Sequence, residues 1–114
     1  LALIYKIAPA SLWEEARAKG QFDGAPVDLA DGFIHFSTGE QVRETADKHF
    51  RNQSDLLLIA IDAEYLGPQL KWEPSRGGAL FPHLYSPLAT RLAAWAKDIP
   101  MRSDGTHDFD GLLP

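Results

Sequence analysis

A chain of 114 residues holds one domain, and its 45% hydrophobic content sets it apart from disordered chains. Sixteen acidic against eleven scattered basic residues leave a net charge of −5, which argues against a nucleic-acid binder. There is no cysteine, so disulfides and thiolate metal sites are excluded, and no apolar run reaches the ~20 residues of a spanning helix. No signal-peptide pattern precedes the first apolar segment, so the expectation is a cytoplasmic protein with a trimmed start at Leu1.

Residues 2–7 (ALIYKI) are apolar and β-prone and read as a first strand. Ser11-Leu12-Trp13-Glu14 has the capping-box pattern, predicting a helix to about Lys19 that Gly20 stops. Its apolar stripe is incomplete, so the helix is expected at the periphery. Residues 21–31, with Gly, Pro and three Asp, read as a surface loop. Residues 32–37 read as a second strand that passes into a helix at Thr38, where Thr38-Gly39-Glu40-Gln41 repeats the capping pattern. Val42, Thr45, Ala46, His49 and Phe50 fall on one helical face, which predicts a core position for His49.

Residues 56–61 form a continuous apolar run, the mark of a strand covered on both sides. Residues 65–68 read as a turn, 70–73 as a short strand and 75–78 as a flexible connection. Residues 81–85 read as another strand, with Pro82 arguing for an edge or first-residue position. Residues 91–97 fit either a helix face, through Leu92, Trp95 and Ala96, or an alternating strand; Ser103-Asp104-Gly105 reads as a hairpin turn and favours the strand, and His107 reads as a solvated turn residue. The class is α+β, with a small mixed β-sheet and two principal helices.

Side chains alternate across a strand, so His35 and Ser37 share a face with Phe33, Glu73 with Lys71, and His83 with Phe81 and Tyr85. Lys6 points away from Tyr5 and Ile7. Brought together, these faces make one polar site of Lys6, His35, Ser37, Glu73 and His83, with Arg76 on the adjoining loop. An Arg fork suits phosphate or carboxylate, and Gly77-Gly78 lets the backbone approach a ligand. The plainer reading makes Glu73 and Arg76 a surface ion pair and Thr38 a helix cap. His35, His83 and Glu73 suit an open zinc or iron site, but no HExxH or His-x-His accompanies them, and no metal is expected. GxSxG, Rossmann and P-loop fingerprints are all missing.

LIYKI (3–7), DGFIHFST (31–38) and LKWEPSRGGALFPHLY (70–85) closely resemble the family catalogued as domain of unknown function 952. That family is grouped by fold with the ADP-ribosyltransferases, so the resemblance implies an ADP-ribosyltransferase-like split sheet clasping NAD. It places Lys6 at the first-strand position, and His35 and Ser37 beside the nicotinamide. Either Glu73 or His83 stands at the third position, and the sequence does not decide between them. His35, Glu73 and His83 are thereby the catalytic candidates; Lys6, Ser37, Thr38, Arg76, Gly77 and Tyr85 are the ligand-binding ones. The expected ligand is NAD or another nucleotide-like or anionic small molecule, with no nucleic-acid or membrane partner. A non-enzymatic anion-binding module and a metal-assisted hydrolase are the two alternatives.

Overall fold

The long apolar run becomes the centre of the structure. The computed structural model describes residues 2–114, the side chain of Arg76 excepted. Strand β1 (Leu3–Pro9) pairs along its whole length with β5 (Leu56–Asp62). Strand β9 (Ala93–Ile99) flanks β5, and β4 (Ser37–Thr38) flanks β1, giving an antiparallel sheet in the order β4-β1-β5-β9. Every residue of β5 is buried, as an unbroken apolar strand requires. Leu57, Ile59 and Ile61 face one apolar layer with Trp13, Phe22, Ile34 and Leu84. Leu56, Leu58 and Ala60 face the other, with Val42, Ala46 and Ile99.

Helix α1 (Ala10–Lys19) starts one residue ahead of the expected cap, and no side chain caps it. The Ala10 amide bonds the Asp55 carbonyl at 2.8 Å, and with the helix under way at Ala10, Ser11 lies inside its first turn and not at its cap. Gly20 does end the helix, at φ 87° with its N–H on the carbonyls of Ala16 and Arg17. The helix is not peripheral: Trp13 is buried, its ring 5.9 Å from that of Phe22.

The segment 21–31 is not a loop. Strand β2 (Gln21–Phe22) pairs with β8 (Leu88–Ala89), and α2 (Pro26–Asp31) follows. Pro26 opens the helix where a missing N–H costs nothing, the Asp28 carboxylate takes the Ala25 amide at 2.7 Å, and Gly32 closes it at φ 86°. The helix is amphipathic in reverse: Val27 and Leu29 are 55% and 65% exposed, whereas Asp28 is 1% exposed. With α3 (Val42–His49) the described chain has three helices, not two.

The expected strand over 32–37 is broken in two. In β3 (Ile34–His35), His35 lies opposite His83 of β7 (Leu80–Leu84); β6 (Leu70–Pro74) completes the sheet β3-β7-β6. Two residues on, Ser37 lies opposite Tyr5 in the other sheet. The chain changes sheets at Phe36 and so ties both sheets to one cleft. Thr38 and Gln41 do exchange hydrogen bonds, at 3.0 and 3.3 Å, but they close a turn that precedes α3.

Pro82 lies in the central strand of its sheet, neither at an edge nor first. A residue's N–H and C=O point the same way in an antiparallel ladder, and the Pro82 carbonyl accepts the Phe36 amide at 3.0 Å. Its missing donor therefore faces the end of the two-residue β3 and leaves the pairing with β6 intact. His49 is exposed, not core, and His107 is buried, its Nε2 2.7 Å from the Gln53 carbonyl. Of the stretch 91–97, residues 93–97 are in strand β9 whereas 91–92 belong to a 3₁₀ turn, and Met101 bridges His107 across the turn at 103–105. No helix among the described residues is long and apolar enough to cross a membrane.

Candidate functional site

A lysine in an apolar layer needs a counter-charge, and α2 supplies it. Lys6 is 4% exposed; its Nζ lies 2.9 and 2.8 Å from the two carboxylate oxygens of Asp28. Asp28 also accepts the His35 amide at 3.1 Å and meets His35 Nδ1 at 2.7 Å. The far side of the same ring, Nε2, meets Asp31 at 2.9 Å. His35 donates to both carboxylates at once only as the imidazolium. Burial alone would raise the Asp28 pKa. The hydrogen bond from His35, the charge and hydrogen bond of Lys6 and the Ala25 amide outweigh it and hold the carboxyl at about 2. Burial pulls Lys6 below the ordinary lysine value, against the attraction of Asp28.

This makes the network acid-labile. Asp28 has its pKa depressed on folding from 3.8 to about 2, so its stabilisation is complete above pH 4 and disappears as pH falls through 2. A shift of nearly two units corresponds to roughly 2 kcal/mol. Carbon-13 titration of the Asp28 carboxyl should give a midpoint near 2, with unfolding free energy falling over the same range. A midpoint at the ordinary aspartate value would contradict the network.

On the second sheet, Glu73 Oε1 lies 2.8 Å from His83 Nδ1 and accepts the Tyr85 hydroxyl at 2.7 Å. The Tyr85 bond first, then that from His83, holds the Glu73 carboxyl below its usual range; the same Glu73 bond raises the Tyr85 phenol. Phe33 stacks on His83 with ring centroids 4.1 Å apart, and the His35 and His83 rings meet edge-on at 5.6 Å. The pairing of Lys71 with His83 puts His83 on the face that alternation gives to Lys71 and Glu73.

Both clusters border one cleft of about 530 Å³ between the sheets. Lys6, His35, Ser37 and His83 line it, with Asp31 and Val27 of α2 and Thr45 and His49 of α3. Ser37 Oγ lies 3.0 Å from Thr45 Oγ1, which itself donates to the Gln41 carbonyl, so Ser37 is the donor of the pair. Glu73 and Tyr85 stand behind His83, outside the lining. Thr38 is engaged in its turn, and Gly77 sits in a 3₁₀ turn at φ 64° with open space around it. The Arg76 side chain lies outside the described residues. Sequence reasoning missed Asp28 and Asp31, which sit inside the presumed loop; Pro26 and Gly32 were the available signals of a helix there.

Fold and site define a small antiparallel α+β protein with a charged cleft where two sheets meet. The sequence profile of a family described as a protein of unknown function, DUF952, matches residues 7–96, and the chain belongs to that family. It is similar over nearly its whole length to protein CC0527 from Caulobacter crescentus. The crystal structure of that protein is 53% identical, with a TM-score of 0.92 and 95% of each chain covered. The crystal structure of a double mutant of it gives 51%, 0.92 and the same 95% coverage of each chain. Its solution NMR structure gives 51% and 0.88, covering 99% of this chain and 97% of that one. No curated protein matches the sequence.

Proposed function

We propose that the cleft takes the nicotinamide–ribose half of NAD, or a related ADP-ribose derivative, in the manner of an ADP-ribosyltransferase-like fold. The observation that carries this reading is the meeting of Lys6, His35, Ser37 and His83, from both sheets, in one cavity of about 530 Å³. Small-molecule sites commonly enclose ~300–1,000 Å³.

Charge narrows the ligand class. The cleft's lysine is paired with Asp28, whereas Asp31 lines the cavity and Glu73 backs His83. Asp31 and Glu73 are themselves bonded to His35 and His83, so the preference for a positively charged group rests on the rings of Tyr5, Phe36, Phe50 and Phe81 that line the cleft. NAD carries such a group in its pyridinium ring. Breaking the nicotinamide–ribose bond develops further positive charge at the sugar carbon, which nearby carboxylates stabilise.

The same pairing of Lys6 weighs against an anion-binding module. His35 has both ring nitrogens, and His83 its Nδ1, on carboxylates, which weighs against their use as ligands in a metal-assisted hydrolase.

Thermal unfolding with NAD, ADP-ribose and nicotinamide tests the reading. A ligand at 100 times its Kd adds about 2.7 kcal/mol of apparent stability. Stabilisation by NAD is expected; no response to any of the three would defeat the proposal.

A further inference from the structure

We infer that His83 is the general base of this cleft, set to activate water, so that the reaction is hydrolysis of the nicotinamide–ribose bond of NAD, with Glu73 as its positioning residue. The inference rests on the NAD reading and names the acceptor that reading leaves open. The two ring nitrogens of His83 are not equivalent. Nδ1 faces the Glu73 carboxylate at 2.8 Å, so in the neutral ring the proton belongs on Nδ1. Nε2 is then bare, and among the described residues nothing bonds it. Glu73 is itself anchored by the Tyr85 hydroxyl at 2.7 Å, and Phe33 stacked at 4.1 Å fixes the plane of the imidazole.

A histidine oriented by a carboxylate and lining a cleft is the arrangement that general-base chemistry needs. The His83 side chain is only 8% exposed, so a bulky acceptor such as a folded protein surface cannot reach it, whereas water can. The step balances. Water's oxygen bonds the ribose carbon while its proton passes to His83 Nε2. The carbon–nitrogen bond breaks, and its electron pair returns to the ring nitrogen, releasing neutral nicotinamide and ADP-ribose. Proton loss from His83 to solvent resets the site.

The full-length protein is assayed for NAD stabilisation, nicotinamide release and the protonation state of the His83 ring. Nitrogen-15 correlation spectra of the unliganded protein should show His83 protonated at Nδ1 and bare at Nε2, and Glu73→Leu should lose that preference. His83→Gln should release nicotinamide roughly 100-fold or more slowly even at NAD concentrations that saturate the variant, the usual range for loss of a general base. His83→Gly should regain release when imidazole is added, which a structural role does not predict. NAD that binds the unsubstituted protein but is never cleaved overturns the hydrolysis while leaving the binding proposal standing. A ring protonated at Nε2, or full-rate release by His83→Gln, overturns the role of His83. NAD that neither binds nor is cleaved removes both.

Discussion

Asp28→Ala is expected to cost about 3–5 kcal/mol of stability, the range for breaking a buried ion pair from one side. The loss exceeds that of one contact, because one carboxylate serves four groups: Lys6, the Ala25 amide, and the backbone and ring of His35. Without it Lys6 is left charged and alone at 4% exposure, facing Ile4 and Ala8 along its own side of β1. Lys6→Met should cost much less. It leaves Asp28 with three of its donors and puts an apolar chain into an apolar layer. Denaturant titration of both variants gives the comparison, and Asp28→Ala within 1 kcal/mol of the unsubstituted protein would show that the network does not hold α2. Because α2 contributes Val27 and Asp31 to the cleft wall, Asp28→Ala should also lose any stabilisation by NAD.

The asymmetry between these two variants explains what the sequence conceals. Lys6 reads as an ordinary strand lysine because its partner lies 22 residues away, in a segment whose composition says loop. The start and stop of α2 are written in Pro26, Asp28 and Gly32. Yet the helix lacks an apolar stripe, since what it buries is a carboxylate, so periodicity has nothing to detect. The break at Phe36 is equally silent. No Gly or Pro marks it, and the residues on either side stay β-prone while they change sheets.

Other features were legible because one physical signal sufficed. The run at 56–61 can only be covered on both faces, and Gly20 can only end a helix. Alternation puts Glu73 on a face with Lys71 and His83 on a face with Phe81 and Tyr85, and the register of β6 on β7 then brings the two faces together. Pro82 misleads for a geometric reason, because its missing donor faces the end of a strand that is only two residues long. His49 misleads because the apolar period of α3 outlasts the surface that covers it: Val42 and Ala46 are buried and His49 is not. The strand faces thus pointed to Lys6, His35, Ser37 and His83 of the cleft, but not to its acidic wall.

Gly24→Ala tests that wall without touching a charged residue. Gly24 has φ 125°, outside the range that residues with a Cβ adopt comfortably, and an added Cβ would lie 2.8 Å from the Asp28 Cβ. Backbone strain of about 1–3 kcal/mol and overpacking of similar size together predict a loss of roughly 2–5 kcal/mol. Relief of the clash requires α2 to move outward, which draws the Asp28 carboxylate away from Lys6 and His35. The Asp28 titration should therefore rise from about 2 toward 3.8, and the cleft should lose affinity for the ligand. Combined with Asp28→Ala, the substitution should cost less than the sum of the two, because part of its effect passes through the carboxylate already removed. A Gly24→Ala protein that melts with the unsubstituted chain and still titrates Asp28 near 2 would mean that the approach of residues 24 and 28 does not position this wall.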